Sequence, residues 1–327
     1  MGSQKMKTGS LAVLLLLLCL VPFISSDYFT GIMVEILIFG IFAASLNLLV
    51  GYTGLVSLGH AAFFGVGAYT SSLVAIHLSA NLFVSLLSGL LVSLVAAGII
   101  GFFCNRVSGF YFLMLTLAFS QMIYALVYRW GSLTGGDNGL SGVPKPTLAG
   151  GIVLGSSGSL YFLILILFVL VLAGLRLFVR SPLGQILVGI RENETRMKTM
   201  GYNTTFYKNL SFVLAGGIGG VAGALYSYFN GFVSPKDIYW TMSGEVLIMV
   251  LIGGAGTLLG PVFGAAFIVI LETIISSYTD LWMLIVGITF ILFVIFIPKG
   301  IVGLESVWRT PAKARAPVQT ESSESVS

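Results

Sequence analysis

Ten apolar runs follow one another along this chain, approximately 10–26, 29–50, 54–78, 81–103, 109–129, 159–179, 207–231, 242–256, 257–277 and 281–298. Nothing else in the sequence constrains the fold as strongly. A helix rises 1.5 Å per residue, so about 20 residues cross a hydrocarbon core, and most of these runs reach or approach that length. In lipid every backbone polar group must be satisfied within the protein, which leaves helix as the form for such runs. Charged residues make up 9% of the 327 positions, against about 25% in a soluble domain. The expected fold class is all-α, a polytopic transmembrane helical bundle of about ten segments. Two of them read as broken or re-entrant. The third opens on the polar, glycine-rich stretch Gly51 to Gly59, and the short eighth runs into Gly253-Gly254-Ala255-Gly256.

Basic residues lie between the runs and not in a stripe, so they report topology and not a nucleic-acid surface. Threading the runs with the amino terminus inside puts Lys5, Lys7, Arg106, Arg176, Arg180, Arg191, Arg196, Lys198, Lys208, Lys299, Arg309, Lys313 and Arg315 on the cytoplasmic side. Arg129, Lys145 and Lys236 remain outside. Thirteen against three accounts for all 16 Lys and Arg and is a strong positive-inside bias, which predicts cytoplasmic N- and C-termini. Met1 to Ser26 can be read as a cleavable signal peptide. An uncleaved first helix over 1–28 is the preferred reading, because everything downstream is also membrane-spanning. The polar stretch after Leu304 (305–327) reads as a disordered cytoplasmic tail, and the main membrane domain as 29–304. Only Cys19 and Cys104 are present, so no disulfide framework or C-x-x-C motif arises.

No G-x-x-x-x-G-K-[ST] phosphate loop occurs, and the glycine clusters at 216–223 and 253–264 do not match a dinucleotide fingerprint. The chain therefore carries no ATPase of its own. His60 and His77 stand apart from Cys, Asp or Glu at ligand spacing, so neither a metal site nor any cofactor is expected, and no enzyme chemistry. Two segments project into water. The outer one, Trp130 to Ser159, carries Gly135-Gly-Asp-Asn-Gly139, Pro144 and Pro146 and reads as a loop. The inner one runs from 180 to 206. Pro182 and Gly201 bound a single expected helix there, with Glu192 and Arg196 spaced i, i+4 on its surface. It is either a solvated connector or a helix that a soluble partner grips. The sequons at Asn193 and Asn203 fall in this loop and read as chance.

Carboxylates within apolar runs are costly, roughly 2.5–3.5 kcal/mol near mid-bilayer. Glu35 and Glu245 lie near the outer ends of their helices and can pair with each other. Glu272 reads as deeper, and for each of the three the readings are structural pairing or a place in the translocation path. Asn47, Ser57 and His60, on or beside the broken third segment, are candidates to line a polar cavity, with a packed, satisfied histidine as the alternative for His60. Small residues at i, i+4, Gly216 with Gly220, Gly219 with Gly223, and Ala61 with Gly65, imply close helix packing.

Several stretches in order resemble the membrane permeases of branched-chain amino acid ABC importers. They are Asn47-Leu-Leu-Val-Gly-Tyr-Thr-Gly54 with the following Leu55 to Tyr69; Ile190-Arg-Glu-Asn-Glu194 with Met200-Gly201; Gly220-Val-Ala-Gly-Ala-Leu-Tyr226; Gly253 to Gly264; and Pro298-Lys-Gly-Ile-Val-Gly-Leu304. The resemblance spans roughly Phe29 to Leu304. It implies that 180–206 is the coupling segment docking into an ATP-hydrolysing subunit, carried by Arg191, Glu192, Asn193, Glu194 and Gly201. Asn193-Glu194 stands where the general permease loop motif has Ala-Ala. The implied partners are ATP-binding ABC subunits, a second homologous permease in a heterodimer, an extracytoplasmic solute-binding protein and membrane lipid. The implied function is ATP-driven import of leucine, isoleucine and valine across a bacterial or archaeal plasma membrane. The alternatives are a urea or short-amide permease, or an ion-coupled secondary transporter whose buried glutamates titrate.

Overall fold

A computed structural model describes residues 18–23, 25–147, 153–279, 281–297 and 300–302. Most of the expected first helix, the tail 305–327 and the basic residues Lys5, Lys7, Lys299, Arg309, Lys313 and Arg315 lie outside the described residues. The rest is almost wholly helical. Among the described residues, five helices are long and apolar enough to cross a membrane: Asp27–Thr53, Leu82–Cys104, Phe110–Arg129, Ser157–Arg180 and Thr204–Asn230.

Helix α1 (Asp27–Asn47) starts where Ser26 Oγ accepts the Phe29 amide, and it continues as a π-helical turn over Leu48–Thr53. Gly54, at φ +79°, ends it. The chain then runs non-helically to Gly59, and α2 spans His60–His77. The expected third segment is therefore interrupted, its helix beginning six residues later than the apolar run. Helices α3 (Leu82–Cys104), α4 (Phe110–Arg129) and α5 (Ser157–Arg180) follow. Between α4 and α5 lies the expected loop, which is partly structured: one helical turn at Gly131–Thr134 and strand β1 (Leu140–Ser141).

The loop expected to hold one helix holds two, α6 (Pro182–Glu192) and α7 (Glu194–Thr199). Asn193 divides them at φ −159° and ψ 96°, and its side chain caps α7 by accepting the Arg196 amide at 2.9 Å. No glycine or proline marks this break, since an asparagine cap competes with helix through its side chain alone. Asn203 likewise accepts the Phe206 amide at the start of α8 (Thr204–Asn230). Both apparent sequons are helix caps.

Strand β2 (Phe232–Val233) pairs antiparallel with β1, and the short 3₁₀ turn Pro235–Ile238 wedges between α2 and α4. Ser120 Oγ on α4 donates to the Ile238 carbonyl at 3.2 Å. Helices α9 (Trp240–Gly253) and α10 (Gly260–Ser276) are shorter than a full crossing and lie against each other as a hairpin, and α11 covers Trp282–Phe296.

Helix α1 is the axis of the bundle. Within its most apolar window 83% of the residues are buried, against 28% for α3 and 22% each for α4 and α5, whose apolar flanks face outward. Val34, Ile38, Ile41 and Phe42 of α1 pack with Tyr161 and Ile164 of α5, Met249 of α9 and Ile268 of α10. Close approach of α2, α3 and α8 is built on the expected small residues. A Cβ at Gly223 would strike the Phe64 carbonyl, one at Gly67 the Gly220 backbone, and one at Gly216 the Ala97 side chain.

Candidate functional site

Two ends of the bundle are distinguished by charge. At one end the π-turn of α1 meets α6, the end of α5 and the start of α8, and Asn105 after α3 donates to Asn209 of α8. Arg106, Arg176, Arg180, Arg191, Arg196, Lys198 and Lys208 gather there. Arg129, Lys145 and Lys236 belong to the other end, with the β1–β2 pair. The described basic residues thus segregate seven to three.

At the basic end the α6–α7 pair is fastened at three places. Ser181 caps α6 by accepting the Gly184 amide, and Pro182 at the first helical position needs no amide partner. Leu187 and Ile190 are buried under the bundle. Arg191 then donates from Nη1 to the carbonyl of Gly51, inside the π-turn. A cation suits the C-terminal end of a helix, where carbonyls lack a following amide and the dipole is negative.

The third fastening is Glu194. Its carboxylate takes the ammonium of Lys208, whose side chain is 5% exposed, together with Lys198 at 2.9 Å and the Thr204 hydroxyl at 3.2 Å. Burial pushes the Glu194 carboxyl up, but its bonds to Lys208 and Lys198 and their charges outweigh that and hold it below the ordinary value of 4.5. The pairing expected between Glu192 and Arg196 is not made; the break at Asn193 puts them on different helices, and Glu194 takes Lys198 at i, i+4 instead. In the sequence Lys208 reads only as one of the cytoplasmic-side cations; its need for a carboxylate follows from its burial, which the fold imposes.

Helix α7 closes on Gly201 at φ +87°, with Gly201 N–H to Lys198 O at 3.0 Å and Tyr202 N–H to Met197 O at 3.1 Å. These two bonds define a Schellman cap. Of the five loop residues singled out from sequence, four therefore serve the loop's own geometry: Arg191, Asn193, Glu194 and Gly201. Glu192 is exposed. Beside it Arg196, Met200, Tyr202 and Phe206 also face outward, an apolar and basic surface that periodicity alone does not reveal.

Asn47 is buried and fully engaged. Its Nδ2 donates to Thr257 O at 2.8 Å and its Oδ1 accepts the Gly256 amide at 2.9 Å, so it holds the α9–α10 turn. Ser57 is buried and accepts the Gly59 amide at 3.3 Å. His60, also buried, stacks on Phe42 and meets Ser45 Oγ at 2.8 Å through Nε2. Ser45 commits its own proton to Phe42 O at 2.6 Å. These three lie in packed protein at the interrupted segment; the cavities beside Glu35 and beside Arg129 are not lined by them, and Asn47 borders a small pocket with Leu48, Tyr52 and Leu175.

The three glutamates do come together, from three helices. Glu245 of α9, Glu272 of α10 and Glu35 of α1 lie near enough for their charges to influence one another. Glu272 lies one turn from the end of α10, and the hairpin of α9 and α10 brings Glu245 toward it. A cavity of about 460 Å³ opens beside Glu35, lined also by Asp27, Lys145, Tyr228 and Thr273.

The family profile described as branched-chain amino acid transport system / permease component matches residues 28–294. The chain is 30% identical to the high-affinity branched-chain amino acid transport system permease protein LivM of Salmonella typhimurium, over 92% of this chain and 76% of that protein. The LivM of Escherichia coli is similar to the same extent. A probable branched-chain amino acid transport permease protein LivM of Methanocaldococcus jannaschii is 24% identical over 41% of this chain and 44% of its own length. No solved structure matches the chain significantly.

Proposed function

This chain belongs to the permease family of branched-chain amino acid transport systems, and from that premise we propose that it forms one half of the membrane path of an ATP-driven importer for leucine, isoleucine and valine. Residues 29–304 form the membrane domain in this reading. The other half is a second, homologous permease; separate ABC subunits hydrolyse ATP, and an extracytoplasmic binding protein delivers the solute. The basic end of the bundle faces the cytoplasm, in keeping with the positive-inside rule.

The observation that carries this reading is the α6–α7 pair. It is anchored inward by Arg191 and Glu194 and presents Glu192, Arg196, Met200, Tyr202 and Phe206 outward. A rigid helix pair with an exposed apolar and charged surface is what a groove on a soluble partner grips. The segment 180–206 is thus the coupling element. The solute path runs along the face where Glu35, Glu245 and Glu272 converge, while Asn47, Ser57 and His60 shape the interrupted segments beneath it.

Reconstitution tests the proposal. Liposomes holding this permease with its partner permease, ATPase subunits and binding protein should accumulate labelled leucine only with ATP inside the complex's nucleotide-accessible compartment, and should not accumulate urea. Ion-gradient-driven uptake by this chain alone overturns the reading. Orientation is read by a single cysteine at Glu192, which should react with an impermeant reagent only from the cytoplasmic side.

A further inference from the structure

Arg191 touches two interrupted segments at once. Its guanidinium bonds the Gly51 carbonyl in the π-turn of α1, and a Cβ on Gly256, in the turn between α9 and α10, would lie 3.0 Å from its Nη1. Its own backbone and stem rest on Gly54, whose missing Cβ would stand 3.0 Å from Arg191 Cγ. The two segments also meet directly, because the space for a Cβ on Gly51 is taken by the Gly256 amide and by Asn47 Oδ1. Asn47 completes the junction through Gly256 N and Thr257 O.

Both segments are places where a helix yields. The π-turn has fewer, wider-spaced bonds, with the Gly54 and Leu55 amides both directed at Leu49 O, and such turns inside helices accompany functional sites. The α9–α10 turn holds Gly254 at φ +112° and Gly256 at φ +83°. Each leads straight into a helix bearing one of the clustered glutamates, Glu35 on α1, Glu245 on α9 and Glu272 on α10.

We infer that Arg191 is a positioning residue that transmits displacement of the α6–α7 pair to the π-turn of α1 and the α9–α10 turn together, and through them to the glutamate-bearing helices. The inference rests on the proposed coupling role of 180–206. Rigid elements with discrete arrangements carry such motion, and here one side chain joins three of them.

The test uses the reconstituted complex and reads leucine uptake per ATP hydrolysed, alongside the amount of ATPase subunit that co-purifies. Arg191→Gln and, from the opposite side, Gly256→Ala should leave co-purification at the wild-type level and lower uptake per ATP at least tenfold. Arg191→Lys, which keeps a cationic donor, should recover part of that loss. An unchanged ratio in both Arg191→Gln and Gly256→Ala overturns the inference. So does a loss of uptake that only parallels a loss of ATPase subunit, which would make Arg191 a docking or folding contact. A wild-type complex with no ATP-driven uptake would instead fail the proposed function itself.

Discussion

Replacing Glu194 by alanine leaves the Lys208 ammonium, 5% exposed, without its carboxylate. Removing one partner of a fully buried pair costs about 3–5 kcal/mol. The Glu194 side chain is 28% exposed and Lys198 is 58% exposed, so water reaches this site and the cost falls toward the range of partly solvated pairs; about 2 kcal/mol is the working figure. That energy holds α7 on α8, and its loss should raise the local opening of α7 roughly 30-fold, at about 1.4 kcal/mol per tenfold. Amide exchange of the 182–203 peptide in purified protein measures the opening directly. Lys208→Met removes the buried charge, so the double variant Glu194→Ala with Lys208→Met should exchange more slowly than Glu194→Ala alone. Equal exchange in the single and double variants would refute the reasoning, because the penalty would then not come from an unpaired buried ammonium.

The same anchor has a pH signature. A carboxyl held below its ordinary value contributes stability that is complete above that value and is lost as pH falls through its folded value. Protection of α7 should therefore persist to about pH 4.5 and fade only below it, a step that Glu194→Gln should abolish when exchange is followed against pH. At the caps, Gly201→Ala forces a Cβ into φ +87° and should cost about 1–2 kcal/mol, with Gly201→Asn costing less; Asn193→Ala removes the α7 cap and should cost about 1 kcal/mol, with Asn193→Asp close to neutral, both read by the same exchange. In the bundle, Gly223→Ala drives a methyl into the Phe64 carbonyl, whereas nothing stands within 4 Å of a Cβ on Gly174. Thermal stability in detergent should fall clearly for the first and stay level for Gly174→Ala; equal effects would argue against the close α2–α8 contact.

Much of the scaffold can be read from local sequence because local physics produces it. Apolar length makes the membrane helices, Pro182 starts α6 and Gly201 stops α7. Glycines at helical spacing mark the α2–α3–α8 contact. Where a helix breaks by a side-chain cap, as at Asn193, composition carries little warning, because such a break requires neither glycine nor proline. The glycines from Gly51 to Gly59 do mark an interruption, but not that it takes the form of a π-turn at Leu48–Thr53.

Sequence by itself determined the class of fold, the segregation of basic residues and the existence of a helical projection between Arg180 and Phe206. Each of these follows from hydrophobicity, charge and backbone preference within a few residues. Only the tertiary structure decided what that projection holds on to. Arg191 meets Gly51 across 140 residues of chain, and Asn47 meets the α9–α10 turn across 210. Such pairings depend on how helices pack side by side, and no local propensity encodes them. The same packing gathers Glu35, Glu245 and Glu272 from three helices and turns Glu194 inward to Lys208, so residues that read alike along the chain take different roles in the folded protein.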